Sequence, residues 1–553
     1  CCSERGLSER FDGSIGAATV LFPFGGKYQR TPEAAMAAKI PVASPRETST
    51  ASMMSFGFDP FVGEWSAWHG AQTAVLSSLA KIVCIGGNAA SCRLSFQEYF
   101  GRAVDEKTWG YPAAALLGAL DAQKKTGCAS IGGKDSMSGT FENINVPHTL
   151  VSFAVTHDKA GRVTSGSFKK SGSAIYFVGT PYSPLLAPDF TAFMQNAAIL
   201  YRLNASGAIR AMYPVGSGGI AEALTKMMMG NGIGGRIDAV PLSFTRAHIP
   251  GAKASSIDLF TPQYGSIILE AAPEAESEID KAGFVSGTIV KIGGTIHESE
   301  IVVEDKNAGI PHSKISLSDA EKAWESKLSE VFPPVSESPA LPALPSFALA
   351  VHPSLADLKS SVSLGKKTFA APTKKVRVLI PVFPGTNCEY DSARAWERSG
   401  AIPEIFVVRN LTPKAVEETV SELSAALRQT QILMLPGGYS GGDEPDGTGK
   451  FIAAMFRAPA LAEAVQRLLR DQDGLILGIC NGFQALLKLG LLPYGKITDL
   501  DEDSPTLTYN NIGRHVSQTV RVRVASNLSP WLSGVSVGDT HTIAVSHGEG
   551  RFY

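Results

Sequence analysis

The sequence lacks any apolar run of the ~18 residues that a membrane-spanning helix needs. It lacks a basic excess. Its 50 Lys and Arg stand against 52 Asp and Glu, a net charge of −2, so no nucleic-acid or membrane-surface partner is expected. Cysteine is sparse and odd in number, seven in 553 residues, which excludes a secreted disulfide scaffold and points to a reducing, cytoplasmic setting. The opening CCSERGLSER has no apolar h-region, so no signal peptide is expected there. There is no tandem repeat. No G-x-x-x-x-G-K-[ST] occurs, so a P-loop is excluded as an ATP site. Neither Cys84 with Cys92 nor Cys1 with Cys2 has C-x-x-C spacing, and no zinc or other metal centre is expected. What is present is the composition of a globular protein, 44% apolar and 18% charged. The length suits three or four domains at about 150 residues each, with cores that need no cross-links.

The clearest boundary is residues 331–375, rich in Pro, Ser, Ala and Lys and without a sustained period, which reads as a linker. Beyond it, strands are expected at Val376–Val382, Ile402–Val408, Gln431–Leu435 and Gly474–Ile479. Helices are expected at Glu389–Ser399 and Lys414–Arg428. Strands apolar on both faces that alternate with helices predict a doubly wound parallel sheet. Ligands on such sheets sit at the carboxyl ends of the strands. Before the linker, Thr19–Phe22, Leu150–Thr156 and Ala174–Gly179 read as strands, and Gly70–Cys84 and Pro112–Lys125 as helices. Two α+β domains are expected there, residues 1–165 and 166–330, followed by a third domain over 376–553.

Gly478-Ile479-Cys480-Asn481-Gly482-Phe483-Gln484 carries the strongest chemical signal. An apolar strand runs in and an apolar helix runs out, so Cys480 stands at an elbow between two glycines. The helix N-terminus beneath it favours an anion. Attack on an amide carbonyl needs N–H donors aimed at the developing oxyanion. Pro436-Gly437-Gly438-Tyr439-Ser440, after another parallel strand, suits that need, and Gly438 with Asn481 would form the oxyanion hole. Read alone, each segment is also consistent with an ordinary turn.

Three segments, PGGYSGGDEP, GICNGFQ and SHGEGRF, together resemble the class I glutamine amidotransferase domain of the phosphoribosylformylglycinamidine synthase family. DGSIGAATVLFPFGGKYQRTP, SFQEYF, LLGALDAQ and GGKDSMSG resemble the second half of that family's synthetase portion. The resemblance implies a two-domain module like aminoimidazole ribonucleotide synthetase, followed by a glutaminase. It implies a thioester on Cys480, channelled ammonia, and ATP with Mg²⁺ to activate the formamide oxygen of formylglycinamide ribonucleotide. It places Gln484, His547 and Glu549 in the glutamine pocket. His547 and Glu549 also share the H-x-E spacing of a catalytic pair, and as i, i+2 residues of a strand they would share a face. His547 as a local base therefore stays open beside the pocket-wall reading.

The resemblance also leads us to expect an amino-terminal synthetase module that is absent here, and a triad His and Glu beyond Tyr553. Ser217 stands where relatives often carry Asp, and the helix over Ala71–Val83 has no acid, with Ser77 and Lys81 in its middle. Mg²⁺ prefers carboxylates, so this module's nucleotide site is expected to be degenerate. Gly133, Lys134, Asp135 and Ser136 form a candidate loop for phosphate or substrate. The G-x-G-x-x-G at Gly230, Gly232 and Gly235 follows a helix and reads as a helix end. Asp443, Glu444 and Asp446 read as a solvated lid, Cys388 as structural, and His69 as a packed or capping residue. A cysteine hydrolase of another specificity and a non-catalytic module are the competing readings.

Overall fold

A computed structural model describes residues 2–13, 16, 18–43, 46–238, 259–305, 310–336, 375–439 and 449–553. Most of the expected linker, Cys1, Ser440 and the acidic trio Asp443, Glu444 and Asp446 lie outside the described residues. The chain divides into two compact units, one over residues 1–42 and 48–334, the other over 43–47 and 335–553.

In the first unit, strands β1 (Thr19–Leu21), β2 (Met36–Lys39), β3 (Thr50–Gly57), β4 (Arg93–Tyr99), β5 (Ser130–Ser136) and β6 (Thr149–Lys159) form one sheet. Their order is β1-β2-β3-β6-β4-β5, antiparallel except for the β4–β5 pair. Period-2 burial in β3 and β6 turns one face onto helix α1 (Ala67–Cys84), and helix α2 (Glu106–Thr126) packs against α1. Ser66 caps α1 by accepting from the His69 N–H, and His69 packs beside Trp65 and Trp68.

A second sheet follows, with β7 (Ala174–Val178), β8 (Ile209–Pro214), β9 (Gly234–Asp238), β10 (Ile267–Ala271), β11 (Ile289–Ile296), β12 (Glu300–Asp305) and β13 (Ile310–Ser316) in the order β8-β10-β7-β11-β9-β12-β13. Helices α3 (Phe190–Ser206), α4 (Gly219–Met229) and α5 (Leu317–Glu325) are among the helices that accompany it. Gly230 is the C-cap of α4 and β9 begins at Gly234, so the G-x-G-x-x-G segment runs from helix to strand. The two sheets flank residue 165, yet they share one core. Leu94, Phe96 and Leu150 from the first sheet join Tyr176 and Leu269 from the second, and Phe190 of α3, in a single buried cluster.

Glu33 lies in the polar part of this unit. Its Oε2 accepts the Gly166 N–H at 2.9 Å, while Oε1 is shut off from solvent without a partner. Burial pushes the carboxyl up to about 7, against the opposing pull of the Gly166 bond and Lys169. The folded state therefore keeps a proton that the unfolded chain releases near ~4.3. Stability should fall as pH rises from there to about 7 and level off above it. Glu33→Gln is expected to lose this slope. Thermal unfolding of both proteins across that range checks it, and parallel pH profiles would refute it.

In the second unit, β14 (Arg377–Val382), α6 (Glu389–Arg398), β15 (Ile402–Val407), α7 (Pro413–Leu427), β16 (Ile432–Leu435), α8 (Lys450–Phe456), α9 (Pro459–Arg470), β17 (Leu475–Gly478) and α10 (Asn481–Lys488) alternate along the chain. The sheet is parallel, with order β15-β14-β16-β17. Leu379, Leu433 and Leu435 face one core with Leu423, Phe456 and Leu468, while Val378, Ile380 and Met434 face another with Ala393. Neighbouring residues of each strand thus enter opposite cores, which is why the strands read as continuous apolar runs. A hairpin of β18 (Val516–Arg523) and β19 (Thr540–His547) follows.

Candidate active site at the Cys480 elbow

The parallel register sets Leu435 opposite Gly478, so the turns after β16 and β17 emerge side by side. Cys480 occupies φ 52°, ψ −111° as the N-cap of α10, and it is exposed. Such a backbone costs a non-glycine residue about 1–3 kcal/mol and persists only where its surroundings enforce it. Those surroundings are specific. The Ile479 N–H donates to Leu435 O at 3.1 Å, and the Gly482 N–H to Ile479 O at 2.9 Å. A Cβ on Gly482 would lie 2.1 Å from Leu435 O, so only glycine lets the helix start this close to β16.

Gly438 has φ 132° and pairs with Thr386. The bonds of that bridge run from Tyr439 N–H to Gly385 O, 2.9 Å, and from Asn387 N–H to Gly437 O, 3.5 Å. The Gly438 N–H takes no part in them. Asn481 is buried, and its Nδ2 donates to Gln484 Oε1 at 3.3 Å. Gln484 Nε2 in turn donates to the Glu549 carbonyl at 3.2 Å. Phe483 meets Phe552 edge to face, with centroids 6.1 Å apart. The first turn of α10 is therefore docked on the SHGEGRF segment, and Cys480, Asn481, Gln484 and Glu549 form one constellation.

His547 sits at the end of β19. Its Nδ1 lies 2.9 Å from Asn510 Oδ1, and Asn510 Nδ2 donates to the His547 carbonyl at 2.7 Å. Burial, and then the neighbouring His515, pull the imidazole below its ordinary value, which favours the neutral ring. Nδ1–H donating to Asn510 leaves Nε2 as an acceptor. Asn510 and His515 escape sequence reading because no local pattern ties residues 510–515 to 547.

In the first unit, Gly133, Lys134, Asp135 and Ser136 correct an expectation. They are not a loop but part of edge strand β5, paired with β4 from Phe96↔Gly133 to Tyr99↔Ser136. Turn-forming residue types are overridden by the parallel ladder, and most of the strand is exposed. The same register sets Glu98 opposite Asp135. Burial, reinforced by Asp135, pushes the Glu98 carboxyl up to about 7, and Glu98 Oε1 is buried without a partner. An orphaned carboxyl oxygen beside a second carboxylate suits a hard cation that keeps much of its water shell. The opposite holds around Ser217, where the Gly218 N–H binds Glu222 Oε2 and Glu222 pairs with Lys226. Lys81, in the last turn of α1, lies 4.0 Å from the centroid of the Phe56 ring, and burial pulls its ammonium down to about 8. Among the described residues, no group of three or more His, Cys, Asp and Glu is placed to hold a metal ion. No helix among them is long and apolar enough to cross a membrane.

Comparison with known proteins bears on residues 375–553, which match the CobB/CobQ-like glutamine amidotransferase domain. The phosphoribosylformylglycinamidine synthase subunit PurQ of Dehalococcoides mccartyi is 35% identical over 178 residues, 32% of this chain and 63% of that protein. The PurQ subunit of Rubrobacter xylanophilus is 33% identical over 181 residues, 32% of this chain and 67% of that subunit. The chain thus spans less than two thirds of the Dehalococcoides subunit. A Thermotoga maritima PurLQS structure aligns over 53% of this chain and 47% of its own, at TM-score 0.42 and 12% identity. Through its carboxy-terminal segment, the chain belongs to the glutamine amidotransferase family of phosphoribosylformylglycinamidine synthase.

Proposed function

We propose that the second unit hydrolyses glutamine and that the whole enzyme uses the ammonia to convert formylglycinamide ribonucleotide to formylglycinamidine ribonucleotide, a step of purine synthesis in the cytoplasm. The observation that carries this reading is the strained Cys480 elbow, set beside the Gly437–Gly438 turn on a chain with this family match.

The Cys480 thiolate attacks the glutamine carboxamide carbon, and the oxyanion is held by the N–H groups of Gly438 and Asn481. Collapse expels ammonia and leaves a thioester, which water cleaves to glutamate. Gln484 and the His547–Glu549 segment line the glutamine pocket. A neutral His547 fits a second reading, as a local proton acceptor from the attacking thiol or water.

ATP is the co-substrate of the synthetase step. Its γ-phosphoryl group passes to the formamide oxygen, and ammonia then displaces phosphate to give the amidine. An amide oxygen is a poor leaving group without that activation. Mg²⁺ would neutralise phosphate charge, and in this unit Glu98 and Asp135 are the residues to hold it, whereas the surroundings of Ser217 and Lys81 suit no cation. A complementary synthetase module is the expected partner.

The test is intact-mass analysis of the full chain with a chloroketone analogue of glutamine. A single adduct on Cys480 is expected. Gln484→Ala, which loses the bond to Glu549, should react about 3- to 10-fold more slowly, the worth of one hydrogen bond. A folded chain that takes no adduct, or takes it on another cysteine, would sink the assignment.

A further inference from the structure

Cys84, Cys92 and Cys128 are buried, whereas Cys388 is half-buried and Cys480 exposed. Cys388 and Cys480 are the N-cap residues of α6 and α10, and neither side chain caps its helix. Those helices follow β14 and β17, which flank β16 on either side. The glycine turn after β16 therefore emerges between the two cysteines. A Cβ placed on Gly437 would stand 3.3 Å from Cys480 Cβ and 3.5 Å from Cys388 Sγ. The two cysteines thus face each other across a residue with no side chain, separated at most by those two contacts together. The Cys388 thiol is held in place by one bond, to Asn387 Oδ1 at 3.1 Å.

We propose that Cys388 and Cys480 form a thiol-modification site, in which peroxide joins them in a reversible disulfide. The chemistry needs one oxidant, hydrogen peroxide. The Cys480 thiolate attacks one peroxide oxygen, the O–O bond breaks, and hydroxide leaves to take a proton as water. Cys480 is then a sulfenic acid. Cys388 sulfur attacks the Cys480 sulfur, the S–O bond breaks, and the departing hydroxide takes the Cys388 proton. Two thiols and one peroxide give one disulfide and two waters. Burial, Cys480, Asp391 and Glu389 all push the Cys388 thiol up, so it waits as a thiol while the exposed cysteine reacts first. The disulfide occupies the nucleophile and so stops amide attack. Only this consequence rests on the glutaminase reading.

The full chain is exposed to hydrogen peroxide, capped with N-ethylmaleimide, digested and mapped by mass. A cross-linked peptide joining Cys388 to Cys480 is expected, and dithiothreitol should restore both thiols. Cys388→Ser should give no cross-link and strong dimedone labelling of Cys480. Gly437→Ala, which sets a methyl group between the two cysteines, should lower the cross-link yield. Wild-type protein that labels with dimedone as strongly as Cys388→Ser, without the cross-linked peptide, would overturn the proposal. The wild-type peptide map decides this even if a variant fails to fold. A cross-link in a chain inert to the chloroketone would refute the glutaminase reading alone.

Discussion

Cys480→Ala is expected to lower glutamine hydrolysis by on the order of 10⁴-fold or more, because no other group replaces the nucleophile of a covalent mechanism. In the proposed mechanism Cys480 takes no part in activating the formamide, so synthesis from added ammonium by the enzyme that contains this chain should persist. Loss of both activities in a folded protein would contradict that division of labour. The elbow's backbone offers a second readout. At φ 52°, ψ −111° an alanine keeps the strain and a glycine relieves it. Cys480→Gly should therefore be equally inactive but about 1 kcal/mol or more stable than Cys480→Ala. Equal unfolding midpoints for the two would mean that the elbow is relaxed.

Gly482→Ala carries the second large effect, and it acts on folding. Its new methyl would stand 2.1 Å from Leu435 O and 2.6 Å from Leu435 C, both backbone atoms of a central strand. A flexible side chain could yield to such a contact, but β16 is held between β14 and β17 and has little room to move. Overpacking a core costs about 1–3 kcal/mol, and a backbone clash belongs at or above the top of that range. The second unit should lose its cooperative unfolding transition or show it far earlier, while the first unit keeps its own. Calorimetry of the full chain reads both. A variant that unfolds as wild type would show that α10 does not start against β16.

What the sequence reveals depends on how local each signal is. The elbow is legible because strand, GICNG and helix are contiguous, and the structure places Cys480 at that strand-to-helix turn. The parallel alternation after residue 375 is legible because both faces of each strand are buried. The approach of Cys388 to the same glycine turn is not, because it arises from strand order rather than from spacing. PGTNCEY has no glycine elbow of its own, so its cysteine reads as structural. Gly133–Ser136 reads as a loop because glycine, Asp and Ser favour turns locally, whereas the ladder with β4 is a tertiary fact. Glu98, and its pairing with the candidate Asp135, are missed for the same reason, since α2 separates their strands in sequence. The expected division at residue 165 falls between two sheets, but sheet membership does not reveal that both contribute to one core.

That shared core has a consequence for descent. Leu94 and Leu150 belong to the same buried cluster as Tyr176 and Leu269, so each sheet loses part of its interior when the other is removed. A gene segment encoding one sheet alone would yield a polypeptide with a large exposed apolar face and a strong tendency to aggregate. Recombination within residues 160–173 should therefore leave few survivors. The heritable block is then expected to be the pair of sheets rather than either one alone.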